Sequence, residues 1–293
     1  MALTKASLLK AIVYADIFDF PLNKEELYHF SVEEKASTKR QFEDVLRLLR
    51  RSVAEKHGYF FLNGREGIVH SRQEREESSK KKLSLARILS VYMSVVPSVL
   101  FVGVTGGVAA DNAEQNDDID FIIITSRNAL WPTRIVLLII LHLIGRRRAK
   151  NARVVSDMAC LNLFLDESGM QLPESMRSLY TAHEIVQMRP LFSRSGTYDL
   201  FLEKNSWINT YLPQSKERTN SYDYTKKTIK PSLLSRFFVK KAVVQLSKFL
   251  QRAYMGKKSN DSYISATMLG FYPQDFQADL LRSYEIRYAK YLK

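Results

Sequence analysis

The sequence predicts a mixed α/β (α+β) protein of several domains, on three observations. Apolar residues recur at helical spacing through the first fifty positions and again in the C-terminal third. Two central runs, Ser98–Val104 and Phe121–Ile124, are unbroken, apolar and β-branched in the way of buried strands. A length of 293 residues exceeds what one core of ordinary size organises.

Composition narrows the class. A chain that is 45% hydrophobic and 26% charged is not mostly disordered. One cysteine, Cys160, excludes an intramolecular disulfide framework and any multi-cysteine metal site, and fits a reducing cytosol. The N-terminus lacks the unbroken apolar core of a signal peptide. The most membrane-like run, Ile135–Ile144, holds ten residues and includes His142. A span needs about 20 apolar residues, so the run reads as a buried helix with His142 in the core. No membrane span and a cytoplasmic location are expected.

Four segments follow in order. Residues 1–70 open with Leu8, Leu9, Ile12, Val13 and Ile17 on one helical face, stopped by Pro21. Asn23 can cap a second helix, and Ser37 or Thr38 a third, which carries Phe42, Val45, Leu46 and Leu49 on one side. The other side of that third helix carries Lys39, Arg40, Arg47, Arg50 and Arg51. Tyr59–Leu62 reads as a strand, Asn63–Gly64 as its turn and Gly67–Val69 as the return strand. Three helices and a hairpin resemble a winged helix-turn-helix domain, with the third helix for recognition. Eleven basic residues nearly balance ten acidic ones there, so contact with DNA and contact with protein both stay open.

Residues 71–96 read as a connecting helix, charged from Arg72 to Lys82 and apolar toward Val95. Residues 97–170 hold the candidate chemistry. Residues 171–293 read as mainly helical and carry the charge. Of the formal +13, Lys216–Lys258 contributes +10, from twelve basic residues against Glu217 and Asp223. Such a block suits a polyanion: nucleic acid, nucleotide phosphates or an anionic membrane surface. Leu234, Phe238, Leu246, Phe249 and Leu250 form an apolar stripe inside it, read first as core packing.

The chemistry-bearing unit is strand 98–104, Thr105-Gly106-Gly107, ten intervening residues, then Asp118-Ile119-Asp120 leading a second strand. Residues i and i+2 of a strand share a face, so the two aspartates project together and Ile119 enters the core. Paired carboxylates repel unless a cation joins them, and their hard oxygens suit Mg²⁺ or Mn²⁺. Glycines leave backbone amides open to phosphate oxygens, helped by a helix expected to start near Val108.

This pattern resembles the polymerase-beta-like nucleotidyltransferase superfamily, whose signature is a glycine followed by Gly or Ser and then Asp-x-Asp opening an apolar strand. The likeness to poorly characterised bacterial nucleotidyltransferase-domain proteins extends to Arg134–Arg148, Leu179–Leu191, Asn205-Ser206-Trp207 and Tyr211-Leu212-Pro213. It implies a palm domain over 97–170, metal on Asp118 and Asp120, and phosphates of an NTP substrate on Gly106 and Gly107. It also implies a third carboxylate on an adjacent strand. In Met158–Leu165 the matching position is Asn162, with Asp157 as the alternative in another register. Asparagine can ligate a metal but cannot act as a base.

The expected activity is transfer of a nucleoside monophosphate from an NTP to a hydroxyl, with C-terminal lysines or arginines neutralising phosphate. A catalytically inactive fold that binds nucleotide or nucleic acid in a regulatory role is the alternative. Arg177 and His183, spaced as in an RNase motif, are a minor candidate pair, with His183 read first as a packed residue. Cys160 is read as an inert core residue.

Overall fold

The structure, a computed structural model, describes residues 3–32, 37–49, 52–148, 155–228, 240–255, 263–271 and 276–291. Arg50, Arg51, Leu234 and Phe238, named above, lie outside the described residues, as do Lys230, Arg236, Lys257 and Lys258 of the basic block.

Three capping boxes start the N-terminal helices. Thr4 and Ser7 exchange hydrogen bonds at α1 (Lys5–Asp16), Asn23 and Glu26 at α2 (Lys24–His29), and Thr38 and Gln41 at α3 (Lys39–Leu46). The cap of α3 is therefore Thr38, not Ser37. Strands β1 (Leu22–Asn23), β2 (Val53–Lys56) and β3 (Tyr59–Leu62) form an antiparallel sheet in the order β1-β3-β2.

The hairpin differs from expectation. Tyr59–Leu62 is its second strand, and the turn is His57-Gly58, with φ of 53° and 80°. Two consecutive positive φ values suit a two-residue hairpin loop. The first strand, Val53–Lys56, is half exposed and only weakly apolar, which hid it. Gly64 does turn the chain, at φ 83°, but into helix α4 (Ile68–Ser94).

Helix α4 joins the two parts, and its charged half is not simply solvated. Arg72 is 1% exposed. Its guanidinium donates to Glu26 and Glu76 at 2.8 Å each, lies 3.8 Å from the centre of the Phe20 ring and reaches the Ala110 carbonyl at 3.3 Å. Asn112 Nδ2 donates to the Phe18 carbonyl at 3.0 Å, and Arg75 pairs with Glu114 at 2.7 Å. These contacts fasten the N-terminal helices to the loop that precedes Asp118.

The second sheet has seven strands: β4 (Val99–Val104), β5 (Ile119–Thr125), β6 (Ala159–Asp166), β7 (Arg189–Arg194), β8 (Thr225–Lys227), β9 (Tyr263–Ile264) and β10 (Met268–Gly270). Their order is β8-β7-β4-β5-β6-β10-β9. The β5/β6 and β7/β8 pairs are parallel and the others antiparallel. One helical turn, α5 (Gly106–Ala109), follows β4. It begins two residues before the expected start near Val108 and is too short to supply a helix dipole.

The sheet separates two cores. On one side α4 and α6 (Leu130–Leu143) pack Leu89, Met93, Leu137 and Leu141 against Val102, Phe121 and Ile123. On the other, α7 (Leu179–Gln187), α8 (Thr197–Lys204) and the N-terminal helices share a core with Phe101, Ile122, Ile124 and Leu165. A further short helix, α9 (Lys216–Asn220), follows, then α10 (Lys241–Met255) and α11 (Phe276–Ala289). Helix α11 returns to the N-terminus, where Arg287 Nη1 donates to the Asp16 carbonyl at 3.0 Å.

Three expectations are corrected. The stretch from 171 onward supplies four strands, and β7 pairs with β4, second from one edge of the sheet. The helix over 135–144 is amphipathic: Leu137 and Leu141 are buried, while His142 and Leu143 face solvent. Helix α10 packs on α6 through polar residues, Gln251 Oε1 accepting from Arg134 at 2.6 Å and Gln251 Nε2 donating to the Trp131 carbonyl at 2.7 Å. Leu246, Phe249 and Leu250 consequently point outward, Phe249 being 70% exposed. No described helix is long and apolar enough to cross a membrane.

Candidate functional site

The site forms where β4 and β5 end side by side. β4 delivers Thr105, whose amide donates to the Asp120 carbonyl at 3.0 Å. Gly106 then turns with φ 64°, and a Cβ built on it would lie 3.0 Å from Asp120 Oδ2. A side chain is excluded there both by backbone conformation and by the carboxylate. Gly107 is less confined, its would-be Cβ lying 3.4 Å from the Ala113 backbone, an ordinary contact.

The loop from Ala110 to Asp118 is pinned from outside. Lys82, buried on α4, donates to the carbonyls of Gln115 at 3.0 Å and Asp117 at 2.7 Å, and pairs with Asp157 at 2.9 Å. Arg189 Nε donates to the Ala109 carbonyl at 2.9 Å, and its guanidinium pairs with Asp111. Asp157 is thus committed to Lys82 and serves to position the loop rather than to complete the acidic pair.

Ile119 is fully buried in the core beneath α4 and α6, so Asp118 and Asp120 emerge on the opposite face. Asp120 pairs in register with Cys160 on β6. Ligand atoms of Asp118, Asp120 and Cys160 lie within 4.8 Å of one another. Arg148 Nη1 donates to Asp118 Oδ2 at 2.5 Å and approaches Cys160 Sγ at 3.4 Å. Cys160 is accordingly a site residue and not inert core. Burial and both aspartates push its thiol well up, so it is protonated at neutral pH.

Asn162 falls elsewhere. Phe121 pairs with Leu161 and Ile122 with Leu163, so Asn162 is the extra residue of a bulge. Its carbonyl accepts from Phe271 N at 2.9 Å, and it lines a small neighbouring cavity with Thr105, Ile122 and Glu184. The bulge takes Asn162, where the resemblance implies a third acid, out of the pairing, and Cys160 stands beside Asp120 instead.

A third carboxylate comes from an unexpected element. Glu184, on α7, faces the Gly106 backbone and interacts with Asp120. Burial, then Asp120, push its carboxyl up to about 7, with the Gly106 amide partly offsetting them. Burial, then Asp118, push Asp120 up to about 6. The sequence signal for Glu184 was an acid on a helix whose neighbours Ala182, Ile185 and Val186 are buried. Arg148 stands in the stretch Arg134–Arg148 that carries the likeness, yet nothing in its spacing marks it as a site residue.

The donor set fits a divalent cation. Asp118 and Asp120 stand half-buried side by side, and Asp118 helps to push the Asp120 carboxyl up, an environment that a metal ion relieves; their oxygens suit Mg²⁺ or Mn²⁺.

The remaining candidates separate. Arg177 precedes α7, donates to the Leu172 carbonyl at 3.2 Å and shares no helix with His183. His183 is packed, as expected, with its ring stacked on Tyr14 at 4.1 Å. Of the basic block, Lys240, Lys241 and Arg252 are exposed around α10, on the α6 side of the sheet and so on the face away from Asp120. Searched against known proteins, the chain matches no family model, no curated protein and no solved structure.

Proposed function

We propose that this protein is a metal-dependent nucleotidyltransferase that moves a nucleoside monophosphate from an NTP to a hydroxyl acceptor. One observation carries the reading: Asp118 and Asp120 project together at the start of β5, directly against Gly106, whose backbone and neighbouring carboxylate leave no room for a side chain. The N-terminal helices and the β1-β3-β2 sheet belong to the same proposal as a winged helix.

A divalent cation held by Asp118 and Asp120 would neutralise phosphate charge and favour the attacking oxygen. The chain's own groups do the rest. Gly106 and Gly107 let the triphosphate approach the backbone. Arg148 adds positive charge beside Asp118. Glu184, with its carboxyl near 7, takes the acceptor's hydroxyl proton. The acceptor oxygen bonds to the α-phosphorus, the bond to the leaving oxygen breaks, and pyrophosphate departs.

The test is incubation of the full chain with α-labelled NTPs, Mg²⁺ or Mn²⁺, and RNA, protein and small-molecule pools. Label transferred by wild type and absent with Asp118→Asn/Asp120→Asn is expected. Metal-dependent nucleotide binding without transfer to any pool would replace this reading with the second one, an inactive nucleotide-binding module. Arg148 on Asp118, and Cys160 where the resemblance implies an acid, favour that second reading.

A further inference from the structure

Positive charge and exposed apolar surface coincide on one face of the molecule, the face away from Asp120. The chain has 31 acidic residues in 293, yet none between Glu77 and Asp111, between Asp120 and Asp157, or between Asp223 and Asp261. Those three gaps hold the C-terminal half of α4, all of α6 and all of α10. The fold gathers them: α4 and α6 cover the same side of the seven-stranded sheet, and α6 touches both α4 and α10.

The outer sides of these helices are apolar. Ile88, Val91, Tyr92 and Val95 recur at steps of three and four along α4, opposite the buried Ala86 and Met93. Ile139 and Leu143 stand outward on α6, opposite Leu137 and Leu141. On α10 Phe249 is flanked by Leu246 and Leu250, turned away from the buried Ser247 and Gln251. Nine of the thirteen exposed large apolar side chains among the described residues therefore stand on these three helices. That is a patch and not the usual scatter, and such patches mark interaction sites. Basic side chains border it: Arg87 on α4, and Lys241, Lys248 and Arg252 on α10.

We propose that this face docks on an anionic phospholipid bilayer, with α10 lying among the headgroups and Phe249, Leu246 and Leu250 entering the acyl boundary. Charge complementarity selects that partner. Apolar side chains bordered by lysine and arginine, on helices without a carboxylate, match negative headgroups over hydrocarbon. A second copy of the chain is disfavoured, because a two-fold pair sets the same basic face against itself. Nucleic acid satisfies the cations but leaves the leucines and phenylalanine in water. The docking is peripheral, since no described helix is long and apolar enough to cross. Asp118 and Asp120, across the sheet, then face the aqueous side. None of this depends on the transferase reading.

The test is flotation of the full chain with vesicles of phosphatidylcholine alone and of equimolar phosphatidylcholine and phosphatidylglycerol. Binding at least about tenfold tighter to the anionic vesicles is expected. Phe249→Ser/Leu250→Ser and Val91→Ser/Val95→Ser are each expected to weaken it at least about tenfold. The two pairs lie on different helices, so a folding defect in one leaves the other to decide. Lys241→Gln/Lys248→Gln/Arg252→Gln should weaken binding to anionic vesicles alone, and Lys204→Gln, on α8 across the sheet, should bind as wild type. Phe249→Trp should gain fluorescence that brominated acyl chains quench. Absence of flotation with anionic vesicles overturns the proposal. So does binding that both serine pairs leave unchanged and salt abolishes, the behaviour of a nucleic-acid or other purely charged contact. Self-association in ultracentrifugation that the serine pairs remove, without flotation, assigns the face to a second copy and equally overturns it.

Discussion

Replacing Asp120 with asparagine should stabilise the metal-free protein while removing its metal binding. Burial and the neighbouring Asp118 raise the Asp120 carboxyl from 3.8 to about 6. In the unfolded chain the group loses its proton near 4, whereas in the folded chain it keeps it to about 6. Between those values the native state holds the extra proton, so stability falls as pH rises and levels off above about pH 7. At about 1.36 kcal/mol per pH unit, the full loss is about 3 kcal/mol at pH 8. Asparagine fits the same space without the charge, so Asp120→Asn should recover about 2–3 kcal/mol there, a rise in Tm of roughly 4–10 °C. Little difference is expected at pH 4. The assay is thermal and urea unfolding of wild type and variant from pH 4 to 8 in chelator, with Mn²⁺ binding by calorimetry in parallel. A variant less stable than wild type at pH 8, or a difference that does not change with pH, would refute the account of Asp120 as a strained, cation-seeking carboxylate.

Four further outcomes are expected. Arg72→Met should cost about 3–5 kcal/mol in urea unfolding, because it strands Glu26 in the core; adding Glu26→Gln should restore part of the loss. Glu184→Gln should lower labelled-NMP transfer at least about 10²-fold and abolish the inflection near pH 7 in its rate profile, while Asn162→Ala should change the rate less than about threefold. Gly106→Ala should lose about 1–2 kcal/mol by forcing a left-handed alanine, and should weaken Mn²⁺ binding by crowding Asp120. Neutralising Lys240, Lys241 and Lys248 together should weaken salt-dependent binding to a polyanion such as heparin without altering Mn²⁺ affinity.

The parts legible in the sequence were those specified locally. Asn23 and Thr38 cap their helices through bonds to residues three positions on, so the signal is contained in four residues. Apolar continuity marked β4 and β5, and strand alternation put Asp118 and Asp120 on one face. What escaped was decided by distant partners. Val53–Lys56 becomes a strand because β3 pairs with it, not because its own residues insist. Arg189–Arg194 begins with Arg-Pro, which reads poorly as a strand, yet its arginine is held by the Ala109 carbonyl and Asp111 about eighty positions earlier. One bulged residue in β6 takes Asn162 out of the pairing with β5, a break that no run of apolar residues announces, and Cys160 rather than an acid stands beside Asp120. Glu184 reaches the site from a helix across the fold, and no spacing rule connects it to Asp120.

The same distinction governs the charge. The segment Lys216–Lys258 carries +10 of the chain's +13, which drew attention to it as the phosphate-binding element. Its helix α10 packs on α6, and α6 packs on the sheet face away from Asp120. Arg218 of the same segment packs over Phe30 on the other side of the sheet, whereas two layers at roughly 10 Å each separate the α10 lysines from the carboxylates. That exceeds two Debye lengths of about 8 Å at physiological salt, so these charges contribute little to holding a triphosphate at the glycine turn. The cation that does stand there is Arg148, in contact with both Asp118 and Cys160. A metal ion entering between the aspartates must compete with that guanidinium, and a phosphate arriving with the metal gives Arg148 a new partner in exchange. Binding of metal and of nucleotide should therefore be mutually reinforcing at this site, while any long polyanion engages the far side of the molecule independently of both.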